Sequence, residues 1–223
     1  MQNINAALFG LGDILIEGAL FDLDGVLVDT AKYHYLAWKR LASELGFDFS
    51  EKDNERLKGV SRLRSLEILL EVSRFTMTEK QKEEAAERKN AWYVEYLHTL
   101  DKNTLLSGVQ EFLLCLKENG IGAAVGSASK NAPLILERLE IAPLFDAVID
   151  GNSVSKSKPD PEVFLKGADA IGVSPQRCVV FEDALAGIEA AKTGGMKVIA
   201  VGDPVNLPGA DRYISSLADM LRR

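Results

Sequence analysis

Two aspartates two positions apart, Asp22 and Asp24, end an apolar run that begins at Gly18, and Gly25 follows at once. Along an extended strand, residues i and i+2 point to the same side, so both carboxylates would face one pocket. Acids held that close resist joint ionisation unless a cation or a shared proton compensates. A strand running into a polar turn explains the same residues, since Asp and Gly are frequent in turns. Phe181-Glu182-Asp183 repeats the pattern and offers oxygen ligands to a hard cation such as Mg²⁺. In Gly126-Ser127-Ala128-Ser129-Lys130-Asn131, small hydroxyls lead into a helix start, where free backbone N–H groups suit phosphate. Ser127 alone reads more readily as a helix cap. Lys130, however, opposes the helix dipole unless an anion shares its place. Arg62 repeats that arrangement in Gly59-Val60-Ser61-Arg62, so two cation-bearing helix starts point to two anion sites. Lys158 precedes Pro159, which favours an extended backbone just ahead of a further helix; a lone loop lysine is ordinarily solvated.

Positioning these groups requires a sheet. Apolar runs at 121–125, 147–149, 179–181 and 198–201 read as buried strands, and amphipathic stretches at 109–119, 130–139, 161–171 and 184–193 as helices. Strand and helix alternating with short loops predicts an α/β fold, a parallel sheet covered on both faces. Residues 31–104 differ. Helical spacing dominates at 33–45, 63–72 and 79–97, which makes this segment a helical cap inserted after the first strand. The core would then comprise residues 16–30 and 105–223, joined to the cap by two linkers able to act as a hinge. Polar groups gather where strands end, the place an open parallel sheet keeps its ligands.

Composition narrows the partners. The chain of 223 residues is 47% hydrophobic and carries a net charge of −7 with no basic stripe, which argues against a nucleic-acid partner. The early residues lack the pattern of a secretory signal or a membrane span. Cys115 and Cys178 lie in apolar segments and read as buried thiols, which fits a reducing cytoplasm. A soluble, cytoplasmic monomer is expected.

In order, Asp22-x-Asp24-Gly25, Ser127, Lys158 and Glu182-Asp183 resemble the four motifs of the haloacid dehalogenase superfamily of phosphotransferases, over about residues 18–201. That resemblance implies a Rossmann-like core and an aspartyl-phosphate mechanism. Asp22 would be the nucleophile, Asp24 the general acid and base, and Ser127, Ala128 and Lys158 the groups that neutralise the transferring phosphoryl. Mg²⁺ would sit on Asp22, the Asp24 backbone carbonyl and Asp183, with Glu182 nearby. Within the superfamily, Thr30 to His34 with Trp38, the segment from Leu57 to Arg62 with Ser65, Arg88-Lys89-Asn90 and the run Ser127 to Asn131 resemble the β-phosphoglucomutase family. The implied reaction interconverts β-glucose 1-phosphate and glucose 6-phosphate through β-glucose 1,6-bisphosphate. Gly59, Arg62, Ser65, Ser129, Lys130 and Asn131 would bind the sugar phosphate, with Arg62 gripping the distal phosphate and Thr30 supporting the hinge. His34 shares a helical face with Trp38, Leu41 and Leu45, as a core histidine would, whereas the resemblance implies that His34 and Lys89 touch the sugar and align Asp24. A sugar-phosphate phosphatase is the nearer alternative and a non-catalytic metabolite sensor the more distant one.

Residues 7–17 nearly repeat 19–29 at an offset of 12, with Gly10 and Gly12 where the second copy has aspartates. Residues 1–15 are therefore expected to form an N-terminal extension, disordered or loosely added at the surface.

Overall fold

The computed structural model describes residues 8–12, 14–57 and 60–222. The apolar runs form one six-stranded sheet, parallel throughout, from β1 (Gly18–Phe21), β2 (Gly122–Gly126), β3 (Ala147–Ile149), β4 (Cys178–Glu182), β5 (Lys197–Val201) and β6 (Arg212–Ile214). Their spatial order is β3-β2-β1-β4-β5-β6. Burial follows the two-residue strand period. Ala19, Phe21, Val125, Val179, Phe181 and Ile199 enter one core, while Leu20, Ala124, Val180, Val198 and Ala200 enter another on the opposite face. The Phe21 and Phe181 rings stack at 4.8 Å, directly behind the acids that end their strands.

β6 has no apolar run to announce it. It joins the edge through Ile199–Arg212, Ala200–Tyr213 and Val201–Ile214 pairing, and Asp211 just before it accepts from the Val198 N–H at 2.8 Å and from Lys192 and Lys197.

Between β1 and β2 lie α1 (Ala31–Glu44), α2 (Glu51–Asn54), α3 (Arg62–Ser73) and α4 (Glu79–Leu97). Ser61 caps α3 by accepting from the Arg64 N–H, and Thr78 with Gln81 forms a capping box on α4. Trp38 and Leu41 of α1 and Tyr93 and Leu97 of α4 are buried in the same cluster. The two connections to the sheet meet each other: Leu106 N–H donates to the Leu27 carbonyl at 3.0 Å, and Val28 bridges Leu105. Around the sheet run α5 (Val109–Glu118), α6 (Ala132–Arg138), α7 (Glu162–Ala170) and α8 (Leu185–Thr193). Cys115 and Cys178 are free thiols, and burial pushes Cys178 up to about 12.

The N-terminal expectation needs correction. Leu8 and Phe9 are helical, and the fully buried Phe9 ring packs 6.4 Å from both Phe112 and Phe181. Arg212 donates to the Phe9 carbonyl at 2.7 Å. This piece is neither a strand nor a loose surface addition, because an aromatic side chain that closes the space between α5 and β4 cannot leave without opening a hole. Residues 1–7 and 13 lie outside the described residues.

Candidate active site

The carboxyl ends of β1, β2 and β4 converge where the strand order reverses, and a cavity of about 890 Å³ opens there. Asp22 and Asp24 follow β1, Ser127 follows β2, and Glu182 and Asp183 stand at the end of β4. All but Glu182 line the cavity. The chain turns away at Gly25, whose φ of +83° and lack of a Cβ leave the Asp183 carboxylate the space a side chain would take.

Lys158 is buried and donates to both Asp22 and Glu182, the latter at 2.6 Å. Burial opposes its charge, but the two carboxylates overcome that and hold the ammonium above its ordinary range. The second Glu182 oxygen accepts from the Ala184 N–H at 2.8 Å. Glu182 is thus occupied chiefly as the partner of Lys158, and Asp22 and Asp183 are the more available donors. Asp22, Glu182 and Asp183 each bring an oxygen within 4.8 Å of the others. Burial, with Glu182, Asp22 and Asp24 adding repulsion, pushes Asp183 up to about 8. Three acids against one ammonium, with room kept for a carboxylate by Gly25, form a donor set that fits a hard divalent cation.

Asp24 is held differently. Thr30 Oγ1 donates to its carboxylate, and the Tyr93 hydroxyl lies 3.0 Å from Thr30. Burial, reinforced by Asp22 and Asp29 and opposed by the Thr30 hydrogen bond, raises Asp24 to about 7. A carboxyl poised there can both give and take a proton near neutral pH.

The helical segment supplies the other wall. Lys89 Nζ lies 2.9 Å from His34 Nδ1 and 4.6 Å from the ring centres of Trp38 and Tyr93. Burial, with Arg62 nearby, lowers Lys89 to about 7; burial and the cations Lys89 and Arg62 hold His34 well below its usual value. A neutral His34 offers one ring nitrogen as donor and the other as acceptor, and Nδ1 is the one that Lys89 meets. His34 packs on Tyr93 with ring centres 4.0 Å apart and also lines the cavity. Trp38 is a buried wall residue. Arg62, half-buried at the start of α3, makes no hydrogen bond or ion pair with a described residue. Ser65, Ser129, Lys130 and Asn131 line the cavity with it, as does Ala128. Ser129 N–H donates to Ser127 Oγ at 3.1 Å, and Asn131 reaches Asn90 of α4 at 2.9 Å. Gly59 lies outside the described residues.

The model of the haloacid dehalogenase-like hydrolase family matches residues 19–201, the span that carries every strand end described above except that of β6. The chain belongs to this family. Among its relatives, β-phosphoglucomutase of Bacillus subtilis is 42% identical over 209 residues, covering 92% of each chain. A phosphorylated carbohydrates phosphatase of Thermotoga maritima is 33% identical, covering 82% of this chain and 84% of the relative. The crystal structure of β-phosphoglucomutase from Clostridium difficile superposes with a TM-score of 0.89 at 40% identity, covering 92% of this chain and 93% of that one.

In this haloacid dehalogenase-like chain, Tyr93 and Asn54 escaped sequence reasoning, and Asn90 was read only as part of the Arg88-Lys89-Asn90 segment. Tyr93 braces Thr30, Asn90 ties α4 to Asn131, and Asn54 lines the cavity from α2. Tyr93 and Asn90 had a usable signal, because residues three and four apart on α4 share a face with Ala86 and Lys89. Asn54, in a four-residue helix, had none.

Proposed function

We propose that the chain is a Mg²⁺-dependent β-phosphoglucomutase that interconverts β-glucose 1-phosphate and glucose 6-phosphate through an Asp22 phosphoenzyme and β-glucose 1,6-bisphosphate. The observation that carries this reading is one cavity with the Asp22–Asp24 pair on one wall and, on another, the half-buried Arg62, whose side chain makes no hydrogen bond or ion pair with a described residue. A guanidinium grips phosphate oxygens with two parallel N–H bonds, so Arg62 with Ser129, Lys130 and Asn131 can hold one phosphate while the other end reacts.

In the first half-reaction, Asp24 takes the proton of the sugar 6-hydroxyl as that oxygen attacks the phosphorus on Asp22, and the Asp22–phosphorus bond breaks. The bisphosphate is released, turned and rebound. Asp22 then attacks the C1 phosphate, the C1 oxygen–phosphorus bond breaks, and Asp24 returns its proton to the leaving oxygen. Ser127, the Ala128 N–H and Lys158 hold the phosphoryl oxygens. Mg²⁺ on Asp22, Asp183 and the Asp24 backbone carbonyl would neutralise charge on the transferring group. Thr30 and Tyr93 orient Asp24, and His34 with Lys89 faces the sugar. Water must be kept from the phosphoenzyme, and closure of residues 31–104 as a cap about the paired linkers at Leu27–Val28 and Leu105–Leu106 would exclude it. Among the described residues no helix is long and apolar enough to cross a membrane; with its free thiols the chain suits a reducing cytoplasm, and we assign it there as a monomer.

The likeness to the Thermotoga phosphatase supports a second reading, hydrolysis of a sugar phosphate. Product analysis separates the two. With β-glucose 1-phosphate, Mg²⁺ and a trace of the 1,6-bisphosphate, a mutase accumulates glucose 6-phosphate; stoichiometric inorganic phosphate instead would establish the phosphatase.

A further inference from the structure

Asn54 is 8% exposed, lines the cavity, and its Oδ1 is buried with no hydrogen-bond partner among the described residues. It stands alone in that respect among the buried side-chain polar atoms of the described residues. A buried amide oxygen without a partner costs on the order of 1–3 kcal/mol, so a group that completes the bond when the cavity fills is the economical explanation. Arg62 and Ser65 of α3 line the same cavity as Asn54. The chemistry selects the ligand. An orphaned acceptor needs a donor; an ionised phosphate has none, whereas every sugar hydroxyl has one. Arg62 supplies the phosphate's needs, and Asn54 cannot.

We propose that Asn54 is a sugar-recognition residue, accepting a hydrogen bond from a ring hydroxyl of the hexose phosphate whose phosphate Arg62 holds. This deepens the reading of the site as one for sugar phosphates and rests on it. In the free protein Asn54 is a liability; in the complex it is satisfied.

The variant N54L keeps volume while removing the amide. If the inference holds, N54L has a melting temperature equal to or above that of the wild-type protein, because an unsatisfied buried group has gone. Its KM for β-glucose 1-phosphate rises about tenfold with kcat little changed, while the inhibition constant of inorganic phosphate stays the same. An unchanged KM overturns the proposal. A parallel rise in KM and in the phosphate inhibition constant also overturns it, since that would mean a general disturbance or a phosphate contact. Should N54L fail to fold, N54A answers the same comparison. If the wild-type protein releases inorganic phosphate rather than glucose 6-phosphate, the mutase reading fails, yet the two constants still decide the role of Asn54.

Discussion

Replacing Lys158 by methionine removes a buried charge while keeping the length of the side chain. Lys158, Asp22 and Glu182 are 3%, 7% and 0% exposed, so the variant leaves two acids facing each other, with Asp183 beside them and no cation. Removing one partner of a buried ion pair costs about 3–5 kcal/mol, which for a chain of this size lowers the melting temperature by roughly 6–20 °C. The pH dependence follows from linkage. In the wild-type protein Lys158 is raised when folded, so its contribution is fully present below the unfolded lysine value of about 10.4 and stays flat between pH 5.5 and 7.5. In the variant the acids lose their cation, and one of them must bind a proton to remain buried. A folded-state acid raised above its unfolded value of about 4 stabilises at low pH and loses that contribution as pH rises, by about 1.4 kcal/mol per pH unit for each proton. Asp24 and Asp183, at about 7 and 8, titrate in both proteins, and because the Lys158 charge lowers both, its loss moves them up and adds to the deficit in the same direction as pH rises. Urea denaturation in EDTA should therefore show a deficit about 3 kcal/mol larger at pH 7.5 than at pH 5.5. A deficit below about 1 kcal/mol at pH 7.5, or one independent of pH, would refute the placement of Lys158 as the counter-charge of both acids.

Arg62→Ala should reduce mutase turnover roughly a hundredfold, the value of two charge-assisted hydrogen bonds at about 1.5 kcal/mol each, while slow hydrolysis of the phosphoenzyme falls far less; equal losses in the two assays would remove its role at the distal phosphate. Thr30→Val deletes the hydroxyl that lowers Asp24, so the limb of the kcat/KM profile that reports Asp24 ionisation should move to higher pH, and an unmoved limb would show that the Thr30 contact does not tune it. Phe9→Ala should cost about 3–5 kcal/mol in urea denaturation, as large-to-small core substitutions do. A change under about 1 kcal/mol there would return the N-terminal piece to the surface.

The acidic half of the candidate site was legible because its sequence signal is local. An apolar run ending in two aspartates and a glycine marks where β1 stops and its acids begin, and the run ending at Glu182-Asp183 marks the end of β4 in the same way, although of that adjacent pair only Asp183 lines the cavity. Helix starts at Ser61 and near Asn131 were legible from small polar residues and cations, and helical spacing alone placed α4 at 79–97, where the structure adds a Thr78–Gln81 capping box at its start. What escaped depends on distant chain segments. Phe9 is core only because Phe112 and Phe181 leave it a slot, while its surrounding sequence imitates a strand. β6 exists because β5 offers an edge and Asp211 anchors its start. Glu182 belongs to the acidic cluster that the sequence suggested, but its ion pair with Lys158, 24 residues away in sequence, was not legible there. The Tyr93–Thr30–Asp24 chain joins residues 63 apart through two hydroxyls, and no periodicity encodes such a contact.

The central claim is that the phosphoryl group on Asp22 passes to a sugar hydroxyl rather than to water. Protein phosphorylated with β-glucose 1,6-bisphosphate in Mg²⁺ can be freed of excess ligand and its phosphoenzyme followed by intact mass, in buffer and with β-glucose 1-phosphate added. The account predicts slow loss in buffer, loss faster by orders of magnitude with the sugar phosphate and formation of bisphosphate, and no phosphoenzyme in Asp22→Asn. Equal rates of loss with and without the sugar phosphate, with inorganic phosphate as the product of both, would contradict it.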